Sequence, residues 1–206
     1  MRSRLTLILL VIAGCSEHKA VEQKTESGIE VTPEPKIAKT VPQRYVNAND
    51  KAFSNHQDTV YYNDTMFTGF RYALYPKGDT AILQSYFNGV EEGFQRTWYP
   101  DHQLSEERFF INGKKEGVHK KWWPDGKQKM YFEAYDNEYN GEFKEWYSSG
   151  LLGKDFHYLN GHEEGSEKLW WDNGTVRANY VIRNGKKYGF IGLTLCKNPN
   201  DSIFKK

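Results

Sequence analysis

Long apolar runs are missing from this chain. The longest, Leu5 to Ile12, is eight residues and too short to cross a bilayer as a helix. An excess of one charge is missing as well: 28 Lys and Arg stand against 27 Asp and Glu, a formal +1, without the basic surplus that a nucleic-acid partner requires. Cysteine is limited to Cys15 and Cys196. His102, His119, His157 and His162 share no common place in the pattern described below and have no metal-ligand spacing. Ser148, Ser149 and Ser166 lack the His and Asp companions that a nucleophilic serine needs. Phosphate-cradling glycines lead a strand into a helix, whereas here they punctuate hairpins. The sequence therefore predicts no catalytic residue, no metal and no cofactor.

What the chain has instead is a repeat. A glycine returns every 24 residues, at Gly69, Gly93, Gly117, Gly141, Gly165 and Gly189. Counting each as position 0, positions 1 to 6 alternate like a strand and end in Leu74-Tyr75, Trp98-Tyr99, Trp122-Trp123, Trp146-Tyr147 and Trp170-Trp171. Turn chemistry follows at once, as in Pro100-Asp101-His102 and Pro124-Asp125-Gly126. A second strand carries Tyr86, Phe110, Ala134, Tyr158 and Ile182 at position 17, and Asn88-Gly89, Asn112-Gly113, Asp136-Asn137, Asn160-Gly161 and Asn184-Gly185 then supply tight-hairpin turns. Two strands and two turns per 24 residues leave no room for a helix. The expected fold is all-β, an elongated single antiparallel sheet of tandem hairpins, with full units 69–92, 93–116, 117–140, 141–164 and 165–188 between half-units.

Equivalent residues in such a sheet form rows spaced by roughly 10 Å, two strand separations. Two rows on one face are candidate binding residues. Position 3 gives Arg96, Lys120, Lys144 and Lys168, and position 5 gives Trp98, Trp122, Trp146 and Trp170. The basic row suits an acidic partner or phosphate, and the aromatic row suits apolar contact or stacking on sugar rings. The bland alternative has the Trp row as packing, with the cations lying over its rings or pairing with Glu92, Glu116 and Glu164. The first unit departs from both rows, with Tyr72 and Leu74, and reads as a cap.

At the amino terminus Arg2 and Arg4 precede the apolar run, and Ile12-Ala13-Gly14-Cys15 resembles the lipobox of bacterial lipoproteins. The resemblance implies a signal peptide at 1–14, removed before an acylated Cys15, and an anchor to the bacterial cell envelope, with Ser16 favouring the outer membrane of a two-membrane cell. Losing Arg2 and Arg4 leaves 26 basic residues against 27 acidic. With Cys15 acylated, Cys196 has no intramolecular disulfide partner and is expected to be buried. Residues 15–56, rich in Glu, Lys, Thr, Val and Pro and without an aromatic before Tyr45, read as a disordered tether. The repeat domain is expected over 57–199, with a short tail at 200–206.

The pattern Gly, four residues, Trp-Tyr-Pro-Asp-Gly, then Tyr-x-Asn-Gly and Gly again, over residues 62 to 195, resembles the MORN repeat in its bacterial variant form. That family includes antitoxin-like proteins of the YwqK type. The resemblance implies a non-catalytic scaffold or interaction module. On this reading the partners are the membrane through the anchor and another protein. A glycan, an anionic lipid or an exported toxin are the alternatives, and no nucleic acid is expected.

Overall fold

A computed structural model describes residues 38–192 of the chain. The leader, Cys15, the tether as far as residue 37, Cys196 and the tail lie outside the described residues.

Within the described residues every regular element is a strand. The leading strands of the five units are Gly69–Leu74, Gly93–Trp98, Gly117–Trp122, Glu138–Trp146 and Gly165–Trp170. Each is returned by a partner, Thr80–Phe87, Leu104–Ile111, Gln128–Tyr135, Leu152–Leu159 or Val176–Arg183, and Lys186–Phe190 follows as a half-unit. These strands lie in sequence order in one sheet of 15 strands, antiparallel throughout except at its first pair. The tandem-hairpin fold read from the sequence is the fold observed.

The Asn-Gly turns explain the hairpins. Asn112 and Gly113 sit at φ 52° and 77°, and Asn160 and Gly161 at 49° and 79°, the paired left-handed conformations of a type I′ turn. A β-bulge recurs at the other end of every unit. Pairing steps from Thr97 with Glu106 to Trp98 with Leu104, passing over Ser105, and the same slip follows Ala73, Lys121, Glu145 and Leu169.

One face of the sheet holds the core. Positions 2 and 15 are direct cross-strand partners, as in His119 with Phe132, Phe143 with Phe156 and Glu167 with Tyr180, and all six of these residues are buried. In the middle of the array Tyr139 covers part of this row, placed there by an irregularity in the pairing of Gln128–Tyr135 with Glu138–Trp146. Opposite the one residue between Phe132 and Ala134, the chain from Tyr139 to Phe143 carries three, including Gly141 at φ 115°. The bend lays Tyr139 against Phe132, Phe143 and Tyr158, with ring centroids 5.1, 5.2 and 5.1 Å away.

Both ends of each unit are tied to a neighbour. At position 6 the Tyr75, Tyr99 and Tyr147 hydroxyls donate to the carbonyls of Trp98, Trp122 and Trp170, 23 residues on, at 2.7, 2.9 and 2.8 Å. Trp123 does the same with its indole N–H to Trp146 O at 3.2 Å. At the tight-turn end, side-chain oxygens of Thr68, Glu92, Glu116 and Asn140 accept the main-chain N–H of Asn88, Asn112, Asp136 and Asn160, each 20 residues on.

The ordered domain begins earlier than residue 57, which corrects the extent of the tether. Tyr45–Asn47 pairs in parallel with Gly69–Leu74, its Tyr45 ring stacked on Phe70 at 5.0 Å. The main chain of Lys39 donates to the buried Glu92 carboxylate at 2.8 Å. The half-unit expected upstream is present as the hairpin of Thr59–Tyr62 and Thr65–Met66, but it pairs with Phe53–His56 in a separate three-stranded sheet. The fold therefore has two sheets where one was expected. Val60, Phe67 and Tyr86 form a buried cluster with Val46, Phe53 and Tyr62 against it, closing the first end of the core.

Candidate binding face

Positions 1, 3 and 5 alternate away from the core row, so Arg96, Lys120, Lys144 and Lys168 share the opposite face with Trp98, Trp122, Trp146 and Trp170. All four tryptophans are partly buried, and the cations differ from one another. Arg96 binds the Glu107 carboxylate directly across the pair at 2.7 Å and lies 4.7 Å over the Phe94 ring. Lys144 binds Glu142 at 2.8 Å and approaches Asp155 to 3.9 Å. Lys120 and Lys168 have no ion pair among the described residues. The bonded acids are thus Glu107, Glu142 and Asp155, in place of Glu92, Glu116 and Glu164. The aromatic residues that carry cations near the bulge are at position 6, with Lys129 4.3 Å over Trp123 and Arg177 4.6 Å over Trp171. A row with two of its four charges engaged by its own chain is a weak reader of phosphate.

The same face changes character along the array. The fourth unit presents Glu142, Lys144 and Asp155, while the first two present Phe70, Tyr72, Leu74, Phe94 and Phe109 beside the Arg96–Glu107 pair. Tyr45, Leu74 and Phe94 are 55%, 44% and 45% exposed, and Phe94 touches Phe109 at 4.8 Å. In this region an open groove of about 810 Å³ is walled by Tyr45, Tyr72, Leu74, Leu83 and Trp98, with Asp79, Thr80 and His102 completing its lining. That volume is within the range of about 300–1,000 Å³ typical of ligand sites. The imidazole Nε2 of His102 lies 3.5 Å from Asp79 Oδ1.

Of the sequence candidates, Trp98 alone lines this groove. Tyr72, Leu74, Leu83 and His102 were missed because each breaks the repeat. Tyr72 replaces the position-3 cation, Leu74 the position-5 Trp, and Leu83 a residue that is Glu107, Tyr131, Asp155 or Asn179 elsewhere. His102 stands where the other units have Gly78, Gly126, Gly150 and Gly174, and takes the same left-handed backbone at φ 67°. The signal was the coincidence of these departures. The sequence reading assigned the first unit's departures to a cap, and the structure gathers them around one cleft.

The core face also carries polar groups that the sequence did not flag. Position 2 is Arg71, Gln95, His119, Phe143 and Glu167 in successive units. His119 is fully buried and stacked on Phe132 at 4.6 Å, and neither ring nitrogen has a hydrogen-bond partner among the described residues. Burial, helped by Lys115 and Arg108, pushes its imidazole down to about 4. Glu167 is fully buried too, accepts the His157 N–H at 3.4 Å, and is pushed up to about 7, chiefly by burial. Such shifts mark candidate acids and bases when they line a cleft. Fully buried groups meet no substrate, so here they bear on stability.

In comparisons with known proteins, no family model and no curated protein matches this chain.

Proposed function

We propose that this protein is a lipid-anchored, non-catalytic repeat protein of the bacterial cell envelope, of the MORN type, that binds another protein through the aromatic part of its open sheet face. The observation that carries the reading is the groove walled by Tyr72 and Trp98 and rimmed by Tyr45 and Leu74, with Phe94 on the same face, the last three each more than two fifths exposed. Contiguous exposed apolar patches mark interaction sites, and clusters of Trp, Tyr and Arg mark the energetic centre of interfaces. Arg96, held between Phe94 and Glu107, lies on the same face. The lining of the groove has no Lys or Arg, which weighs against anionic lipid as its occupant.

In-cell crosslinking of the full chain followed by mass spectrometry tests the reading, comparing wild type with Leu74→Ser/Phe94→Ser. Both side chains are exposed, so the fold should survive the substitutions. Enrichment of one protein with wild type and its loss with the variant supports the reading. Equal recovery with both, or no enriched protein, overturns it.

A further inference from the structure

We propose that the first-unit groove receives a basic side chain, Lys or Arg, from the protein partner, with Asp79 as its counter-charge and the Tyr72 and Trp98 rings as its walls. The inference rests on the reading of this face as the protein-binding one, and adds the chemistry of the contact.

Charge complementarity carries it. Elsewhere on the face three acids are matched by cations of the same chain, Glu107 by Arg96, and Asp155 and Glu142 by Lys144, while Glu133 accepts from the Tyr131 hydroxyl and the Glu142 N–H instead. Asp79 has no Lys or Arg within ion-pair distance among the described residues. Its one charged-group neighbour is the His102 imidazole at 3.5 Å, which opposes it only when protonated. The rest of the lining is three aromatic rings, two leucines, Gly78 and a threonine. An ammonium or guanidinium beside aromatic faces and a carboxylate gains both cation–π and Coulomb attraction, and both strengthen where water is partly excluded.

The repeat supports the same conclusion. Arg96 in the second unit joins an aromatic ring, Phe94, to a carboxylate, Glu107. In the first unit Tyr72 and Leu83 stand at the positions of that cation and that carboxylate, and the acid beside its rings is Asp79, in the turn. A basic residue from outside completes a set of rings, cation and carboxylate built on Asp79. Asp79 is the only acid at position 10, where the other units have Gln103, Lys127, Leu151 and Thr175, so the later units do not duplicate the site.

The test is a titration of the full chain in detergent with Nα-acetyl-lysine methylamide, following the Trp98 indole N–H resonance, assigned by its loss in Trp98→Phe. The norleucine counterpart keeps the alkyl chain and lacks the charge. Saturable binding of the lysine compound is expected, at least about tenfold tighter than the norleucine one and reduced by a similar factor in Asp79→Asn. Equal affinity for the two compounds, binding unchanged by Asp79→Asn, or no binding overturns the proposal. Tighter binding of choline than of the lysine compound would also overturn it, in favour of a quaternary headgroup. Tyr72→Leu gives a second reading of the ring contribution should Trp98→Phe fold poorly. Partner capture lost in Leu74→Ser/Phe94→Ser but intact in Asp79→Asn would leave the protein-binding reading standing and remove this one.

Discussion

The hydroxyl of Tyr99 donates to the main-chain carbonyl of Trp122, one unit further on, at 2.9 Å. Position 6 is therefore the staple of the array, and the sheet is tied at its turns as well as along its strands. Tyr99→Phe keeps the ring and removes the bond. It should cost about 1 kcal/mol, the usual net worth of one hydrogen bond, and Tyr147→Phe should cost the same. Urea unfolding followed by circular dichroism checks this, and an unchanged midpoint in both variants would make the staple incidental.

Stability should change little between about pH 4.5 and 6.5, because two buried groups act there with opposite sign. The Glu167 carboxyl rises from 4.5 to about 7 on folding, so the folded state keeps a proton that the unfolded chain has lost, and stability falls as pH climbs through this window. His119 falls from 6.5 to about 4, so the unfolded chain binds the extra proton, and stability falls as pH drops from 6.5. Glu167→Gln should therefore leave a stability that rises from about pH 4 to 6.5, and His119→Phe one that falls from about pH 4.5 to 7. Urea midpoints measured from pH 4 to pH 8 decide it.

The leading glycines should not be equally sensitive. A Cβ at Gly69 would stand 2.6 Å from the Arg44 carbonyl at φ 144°, whereas one at Gly117 meets nothing within 4 Å at φ 66°. Gly69→Ala should therefore cost about 3 kcal/mol or more, and Gly117→Ala about 1 kcal/mol, from backbone strain alone. Equal losses in urea unfolding would place the cost in the backbone conformation and not in the contact.

Arg96 and Glu107 should be coupled, and Lys168 should not. A double-mutant cycle of Arg96→Ala with Glu107→Ala is expected to give about 0.5–1 kcal/mol for this part-exposed pair. Lys168→Ala combined with Glu107→Ala should add within error. A coupling near zero for the first pair would return Arg96 to the pool of free cations.

Acylation at Cys15 is tested by fractionation. Cys15→Ser should move the protein from the membrane fraction to the soluble one, because an acyl chain is the only anchor the reading provides. Retention of the variant on membranes would remove the anchor from the proposed function.

The hairpins were legible because their signals are local: Asn112-Gly113 and its equivalents demand left-handed φ, and the 24-residue spacing repeats the demand. Tyr45–Asn47 was not legible. It joins the sheet in parallel, so no turn announces it, and its segment is as polar as a linker. The position-2 row was hidden for another reason. Gln95, His119 and Glu167 occupy a core row without being apolar, so no hydrophobic period marks it. The groove was hidden because, Trp98 apart, its walls Tyr72, Leu74 and Leu83 are departures from the repeat, and a shared pattern gives no signal for them.

The two sets of ties run over fixed distances along the chain, 23 residues from each position-6 donor and 20 from each turn-capping oxygen. Every contact that holds one unit to the next is therefore short in sequence, however many units the array has. Insertion or excision of a whole 24-residue block changes the length of the sheet while leaving each remaining tie its usual partner. A change of any other size displaces both sets together. The gene can vary the reach of this protein only in whole units.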